Sequence, residues 1–120
     1  MSISQPVPKV SRRDVERVAR RDFPRDDTAA ILAILDAYGI EKYEQGQARV
    51  QLAALKNANG NIDILRQQIE TAKLDYRDVL SVAEYPEYMR LYDEDDIPPE
   101  EEKKIINSDW SQYCEWLNRL

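Results

Sequence analysis

Apolar residues recur at intervals of three and four along most of this chain, and no segment shows the strict alternation that is typical of a strand. The first such stretch follows Ser11, a suitable N-cap residue, with Asp14 at the capping-box position. Pro24 ends the predicted helix, because the residue before a proline avoids helical backbone angles. The apolar stripe of this helix consists of Val15, Val18, Ala19 and Phe23.

A second helix is predicted after Asp26 or Asp27, either of which can serve as its N-cap. Gly39 fits the left-handed position that closes a helix. The apolar residues between these points cover more than one stripe, so we expect this helix to be central and well buried. They are Ile31, Leu32, Ile34, Leu35 and Tyr38.

The third helix is predicted over about residues 41–57, and the clearest punctuation in the chain follows it. Gly46 would weaken the first turns of this helix by roughly 1 kcal/mol relative to alanine. Gly60 is expected to close the helix, and Asn61 is expected to cap the next one.

The second half of the chain reads as a long helical stretch, a short helix and a final helix. Asp75 is expected to cap or bend the fourth helix, which begins near Ile62. Pro86 and Pro99 suit the first turns of the two helices that follow. The last helix runs to about residue 118, unless a separate helix starts after residues 108–109.

These patterns together predict an all-α fold, a single-domain bundle of five to seven helices with no sheet. Residues 1–10 hold two prolines and little apolar material, which indicates an N-terminal arm. Residues 11–120 are assigned to one helical domain, because a length of 120 residues suits a single domain.

Composition narrows the possible chemistry. The chain has no histidine, one cysteine and three glycines, so histidine-based catalysis, cysteine-cluster metal sites and phosphate-binding glycine loops are excluded. We therefore expect no enzyme activity, no cofactor and no metal. No apolar run is long enough to span a membrane, and neither the single thiol nor the start of the chain indicates secretion, so a cytoplasmic location is expected.

Charge is distributed unevenly, although the total is −6. Residues 84–102 carry nine acidic side chains and one basic side chain, beside tyrosines spaced three and four apart. Tyrosines of this kind usually pack in a core, but they also serve protein interfaces, and acidic neighbours favour a basic partner. The partner-binding residues predicted on this basis are Tyr85, Tyr88, Tyr92, Asp93, Asp95 and Asp96. Trp116 is added because it points away from Trp110 on a helical wheel, so the two cannot both face the centre of the core. The sequence leaves the oligomeric state open.

Two alternative functions remain open at this stage. The arginines of the first helix have the character of a nucleic-acid contact, although an intramolecular contact with the acidic second half is favoured. Carboxylates at helical spacing, such as Asp75 with Asp78 or Glu84 with Glu87, allow acid–base catalysis only if a pocket gathers them. The acidic stretch 93–96 lacks the alternating ligands and central glycine of a calcium loop.

Two resemblances follow from longer stretches of sequence. The segment from AALKNANGNIDILRQQIETAK through residues 75–88 resembles small bacterial proteins that have no known activity. The stretch LDAYGI followed by ARVQLAALKNANGNIDILRQQI, within residues 28–72, is similar to ubiquitin-associated-type three-helix domains. Proteins of that family often have a loop of the Met-Gly-Phe kind, and in this chain residues 37–40 take its place.

Overall fold

A computed structural model describes residues 7–24, 27–42, 46–90 and 97–119. These residues form six helices and no strand, which confirms the all-α single-domain bundle. No helix among them is long and apolar enough to cross a membrane. The helices are α1 (Arg12–Asp22), α2 (Thr28–Asp36), α3 (Gln47–Ala58), α4 (Ile62–Glu84), α5 (Pro86–Arg90) and α6 (Pro99–Asn118).

Helix α1 begins and ends as the sequence predicts. The backbone N–H of Ser11 donates to the Asp14 carboxylate at 3.0 Å, which satisfies a donor at the helix start. Phe23 has extended backbone angles directly before Pro24, so the helix stops at that point. All four residues of the predicted stripe are buried in the core.

The centre of the bundle is α3, and the prediction that the second helix would be central is wrong. Seven of the twelve residues of α3 are buried, whereas Ile31 and Leu35 are the buried residues of α2. The many apolar positions of α2 meet the core from one side and leave Leu32 and Ile34 partly exposed. The α3 helix instead packs between α1 and the long α4, where small residues allow close approach.

The N-termini of α2 and α3 differ from their predicted form. Asp27 is the N-cap of α2, but its side chain forms no capping hydrogen bond, and Asp26 lies outside the described residues. Helix α3 begins at Gln47 rather than near residue 41, because Gly46 has the left-handed angles φ 63° and ψ 43°. Gly46 is therefore a boundary residue, and the predicted penalty inside the helix does not apply.

The turn between α3 and α4 and the bend within α4 are confirmed. Gly60 has a positive φ of 80°, and the Asn61 side chain accepts the N–H groups of Asp63 and Ile64. Asp75 interrupts α4 with φ −156° and ψ 101°, and its carboxylate accepts the N–H of Arg77 at 3.0 Å. The second part of α4 thus has an N-cap of its own, as the sequence predicts.

Helix α6 is continuous from Pro99 to Asn118, so a separate helix after residue 109 does not form. Asp109 does not cap its own helix. It is buried on the side of α6 that faces α5.

In the segment before α1, Pro8 is buried while its neighbours Val7 and Lys9 are exposed.

Candidate protein-binding surface

The short helix α5 and the end of α4 bring two of the predicted binding residues together. The rings of Tyr85 and Tyr88 meet edge to face, with centroids 6.5 Å apart and an interplanar angle of 76°. Both tyrosines are half-buried. The Tyr88 hydroxyl donates to the Glu102 carboxylate of α6 at 3.1 Å, so one tyrosine is attached to the acidic start of that helix.

The position of α5 is fixed by Asp109. Its carboxylate accepts the backbone N–H groups of Glu87 and Tyr88 at 3.1 and 3.0 Å, although α5 is too short to be stable by itself. Gln112, one turn further along α6, donates to the carbonyl of Ala83 at 3.1 Å. These hydrogen bonds hold the corner between α4 and α5 against α6.

An ion pair lies behind this corner. Glu84 is 6% exposed, and both of its carboxylate oxygens accept from the Arg49 guanidinium of α3. The hydrogen bond that Arg49 donates to Glu84 raises the pKa of Arg49. Burial, followed by the charge of Glu84, raises the pKa of Tyr85, so its phenol stays neutral at physiological pH.

Exposed apolar residues precede and follow the tyrosine pair along the chain. Val82, one turn before Tyr85, is 55% exposed, and Met89, directly after Tyr88, is 44% exposed. The binding residues predicted from the sequence include neither Val82 nor Met89, although Val82 lies three residues before Tyr85 and Met89 directly follows Tyr88. We call Val82, Tyr85, Tyr88 and Met89 the tyrosine corner, after their place where α4 meets α5. The name does not refer to the feature of β-sandwich proteins that shares it.

Trp116 lies in a different environment. Its ring is 5.2 Å from the Arg21 guanidinium carbon and 5.6 Å from the Tyr113 ring, and it packs against the core. These contacts attach the end of α6 to α1, so Trp116 has a structural role there. The other predicted binding residues, Tyr92, Asp93, Asp95 and Asp96, lie outside the described residues.

The arginines of α1 bind within the molecule: Arg12 donates to both carboxylate oxygens of Asp36 at 2.6 and 2.9 Å, and two others donate to carbonyl groups at the end of α6. Arg17 donates to the Leu117 carbonyl at 2.7 Å, and Arg21 donates to the carbonyls of Trp116 and Arg119 at 2.7 and 2.8 Å. Positive side chains at the C-terminus of a helix satisfy its last carbonyls and oppose its dipole. Sequence reasoning expected a contact with the acidic second half and missed that its acceptors are backbone groups.

One carboxylate of each pair considered for catalysis is bound to an arginine. Asp75 binds Arg77 in two hydrogen bonds of 3.0 Å, and Glu84 binds Arg49. No group of three or more histidine, cysteine or acidic side chains in the described part of the chain is arranged to hold a metal ion.

Groups on α3 and α6 also have shifted pKa values. Burial raises the pKa of Asp109 and lowers that of Lys56, which lies within electrostatic range of it. Burial also raises the pKa of Tyr113, whose hydroxyl has no hydrogen-bond partner among the described residues. The hydroxyls of Tyr85 and Tyr113 are therefore neutral at physiological pH, and the charges of Arg49 and Glu84 are paired with each other. Comparisons of the chain with family models, curated proteins and solved structures find no match.

Proposed function

We propose that this chain is a non-enzymatic protein-binding domain whose contact surface is the tyrosine corner. The observation that carries the proposal is the edge-to-face pair of Tyr85 and Tyr88, flanked by the exposed side chains of Val82 and Met89. Aromatic and methionine side chains at the centre of an interface carry most of its affinity, because they bury a large area when water is excluded.

The way α5 is held supports this role. Because Asp109 and Glu102 bind α5 from the same neighbouring helix, the tyrosines are positioned before any partner arrives. A preorganised surface loses less side-chain entropy on binding, which leaves more of the contact energy for affinity.

The charge around the corner favours a partner with a basic segment. Glu100 and Glu101 are exposed at the start of α6, and they belong to the 84–102 segment with its excess of acidic side chains. Charges at the rim of an interface mainly accelerate encounter with an oppositely charged partner. We therefore expect association to slow as ionic strength rises. The single cysteine fits a function in the cytoplasm.

The intramolecular bonds of Arg17 and Arg21 give less support to a nucleic-acid interface on α1. The ion pairs of Asp75 with Arg77 and of Glu84 with Arg49 likewise give less support to an enzyme. The similarity of residues 28–72 to ubiquitin-associated-type domains, and that of the longer segment to small bacterial proteins, stay predictions.

The proposal is tested by affinity capture from a cytosolic extract of the source organism, with quantitative mass spectrometry. Met89→Lys places a charge in the tyrosine corner, and Leu74→Lys is the matched control because Leu74 is 90% exposed on the first part of α4. Both variants should keep the wild-type melting temperature. We expect one set of proteins to be captured by the wild type and by Leu74→Lys and lost with Met89→Lys.

A second arm of this experiment tests the charge argument. Glu100→Gln combined with Glu101→Gln should slow association with a captured protein at low salt and have a smaller effect at high salt. Equal capture by both lysine variants, or no specific capture by the wild type, contradicts the proposal.

A further inference from the structure

A cavity of about 350 Å³ lies between the segment before α1 and the second half of α6, where the protein-binding proposal assigns no role. Trp110, Cys114 and Leu117 line one wall at helical spacing, with the buried Tyr113 beside them. Pro8 and Lys9 line the opposite wall. This volume falls at the lower end of the range for small-molecule sites in proteins, which is roughly 300–1,000 Å³.

The lining has one charged group. Lys9 is exposed, and its ammonium group forms no ion pair within the described residues. No carboxylate lines the cavity, so nothing in its wall competes for this positive charge. Burial raises the pKa of the Cys114 thiol, which is consistent with a neutral and largely apolar interior.

We propose that this cavity binds a small amphiphilic anion, of the class represented by a medium-chain fatty acid. The apolar chain lies along Trp110, Cys114 and Leu117, and the carboxylate lies at the Lys9 end, in contact with solvent. Burial of the chain supplies most of the affinity, and the charge of Lys9 selects an acid over a neutral alcohol of equal length. The site is independent of the tyrosine corner.

The two tryptophans allow a direct binding measurement. Trp110 lines the cavity, whereas Trp116 stacks on Arg21. Decanoate, titrated below its micelle concentration, should therefore change the fluorescence of Trp116→Phe, which retains Trp110, and leave that of Trp110→Phe nearly unchanged. Cys114→Trp should fill the cavity and abolish binding, as followed by calorimetry. Circular dichroism and melting curves establish that each variant is folded.

Lys9→Met tests the charge, because it keeps an apolar stem and removes the ammonium group. Its affinity for decanoate should fall by up to about fivefold, as expected for one exposed charge pair, while its affinity for decanol stays unchanged. Lys103→Met, an exposed lysine on α6 outside the cavity wall, should change neither affinity.

Four outcomes overturn the proposal. The first is no saturable binding of decanoate by the wild type. The second is an equal loss of decanoate and decanol affinity in Lys9→Met. The third is a concentration-dependent dimer in sedimentation that Cys114→Trp disrupts, which assigns the cavity to a second copy of the chain. Binding to anionic vesicles without binding of free decanoate also contradicts it, and assigns this face to a lipid surface.

Discussion

The guanidinium of Arg49 donates to both carboxylate oxygens of Glu84, at 2.7 and 2.6 Å, and so connects the central helix α3 to the end of α4. The Glu84 side chain is 6% exposed and that of Arg49 is 28% exposed. A carboxylate this deeply buried is tolerated because its charge is paired and its oxygens are hydrogen-bonded. The pair thereby holds the last residue of α4, which directly precedes Tyr85, against α3.

Arg49→Met should lower the free energy of unfolding by about 3 kcal/mol, because it leaves the buried Glu84 carboxylate without its partner. The double variant Arg49→Met with Glu84→Leu should recover much of this loss, since no unpaired charge remains. Urea unfolding of both variants measures the effect. A double variant as unstable as Arg49→Met contradicts the argument and assigns the loss to packing.

The contact of α1 with the end of α6 gives a second prediction. Arg21 donates to the carbonyls of Trp116, Leu117 and Arg119 at the end of α6 and lies over the Trp116 ring, while its side chain is largely buried. Arg21→Met should therefore cost about 2 kcal/mol, the upper range for a partly buried cation at a helix C-terminus. Hydrogen exchange should become faster in the last turn of α6.

Arg20→Met is the matched control for this substitution. Arg20 is the preceding residue on the same helix, it is exposed, and it forms no hydrogen bond or ion pair with the described residues. Its substitution should change stability by less than about 0.5 kcal/mol. Equal effects at both positions would mean that net charge, rather than the contact with the helix end, determines the stability.

The sequence predicts those parts of the fold that depend on neighbouring residues. The cap at Ser11, the stop at Pro24 and the bend at Asp75 are each determined within about four residues, and each is confirmed. Which helix lies at the centre of the core depends on packing between distant segments. The prediction used apolar content alone, and it therefore placed α2 rather than α3 at the centre. The predicted start of α3 was wrong because glycine is compatible both with a position inside a helix and with a left-handed boundary, and Gly46 adopts the second.

The candidate site was less predictable, because its key contacts join residues that are far apart in the chain. The hydrogen bonds that Asp109 accepts from the N–H groups of α5 span more than twenty residues, and the sequence indicated only that a separate helix could start after residues 108–109. The place of Trp116 on a binding surface stays a prediction, because the sequence does not show which side chains pack against an aromatic residue. Here Arg21 covers one face of the ring.

The turn at Gly60 gives a third prediction. Its φ of 80° lies in the left-handed region, and a Cβ atom added there would lie 3.3 Å from the carbonyl oxygen of Asp22, at the end of α1. Gly60→Ala should therefore cost between about 1 and 2 kcal/mol from backbone strain, and more if the Asp22 carbonyl does not move.

Gly46→Ala separates the two contributions. Gly46 also has a positive φ, of 63°, but the nearest atom to its added Cβ is 4.0 Å away on Val50. This variant should show the backbone cost alone and should lose less stability than Gly60→Ala in the same urea titration. A neutral effect at Gly60 would show that the turn adopts another conformation.

The carboxylates of Asp109 and Asp75 have pKa values shifted in opposite directions. Burial raises the pKa of Asp109 more than the N–H groups of Tyr88 and Glu87 lower it. The hydrogen bond from the Arg77 side chain lowers the pKa of Asp75. The folded state therefore holds the Asp109 proton more tightly than the unfolded chain does, and holds the Asp75 proton less tightly.

Asp109→Asn and Asp75→Asn should consequently change the pH dependence of stability with opposite signs. As pH falls from 6 towards the unfolded value of about 3.9, the wild type should gain stability relative to Asp109→Asn, because protonation of Asp109 is favoured in the folded state. As pH falls from about 5 to 3, the wild type should lose stability relative to Asp75→Asn, because the bond to Arg77 requires an ionised carboxylate. Urea unfolding at intervals between pH 3 and 6 gives both differences.

The loss of an Asp109 hydrogen bond in Asp109→Asn adds an offset in stability that does not depend on pH. The slope of the stability difference against pH therefore tests the shift in the Asp109 pKa by itself. Parallel slopes for the two variants would contradict the assignment of a buried, capping carboxylate to Asp109.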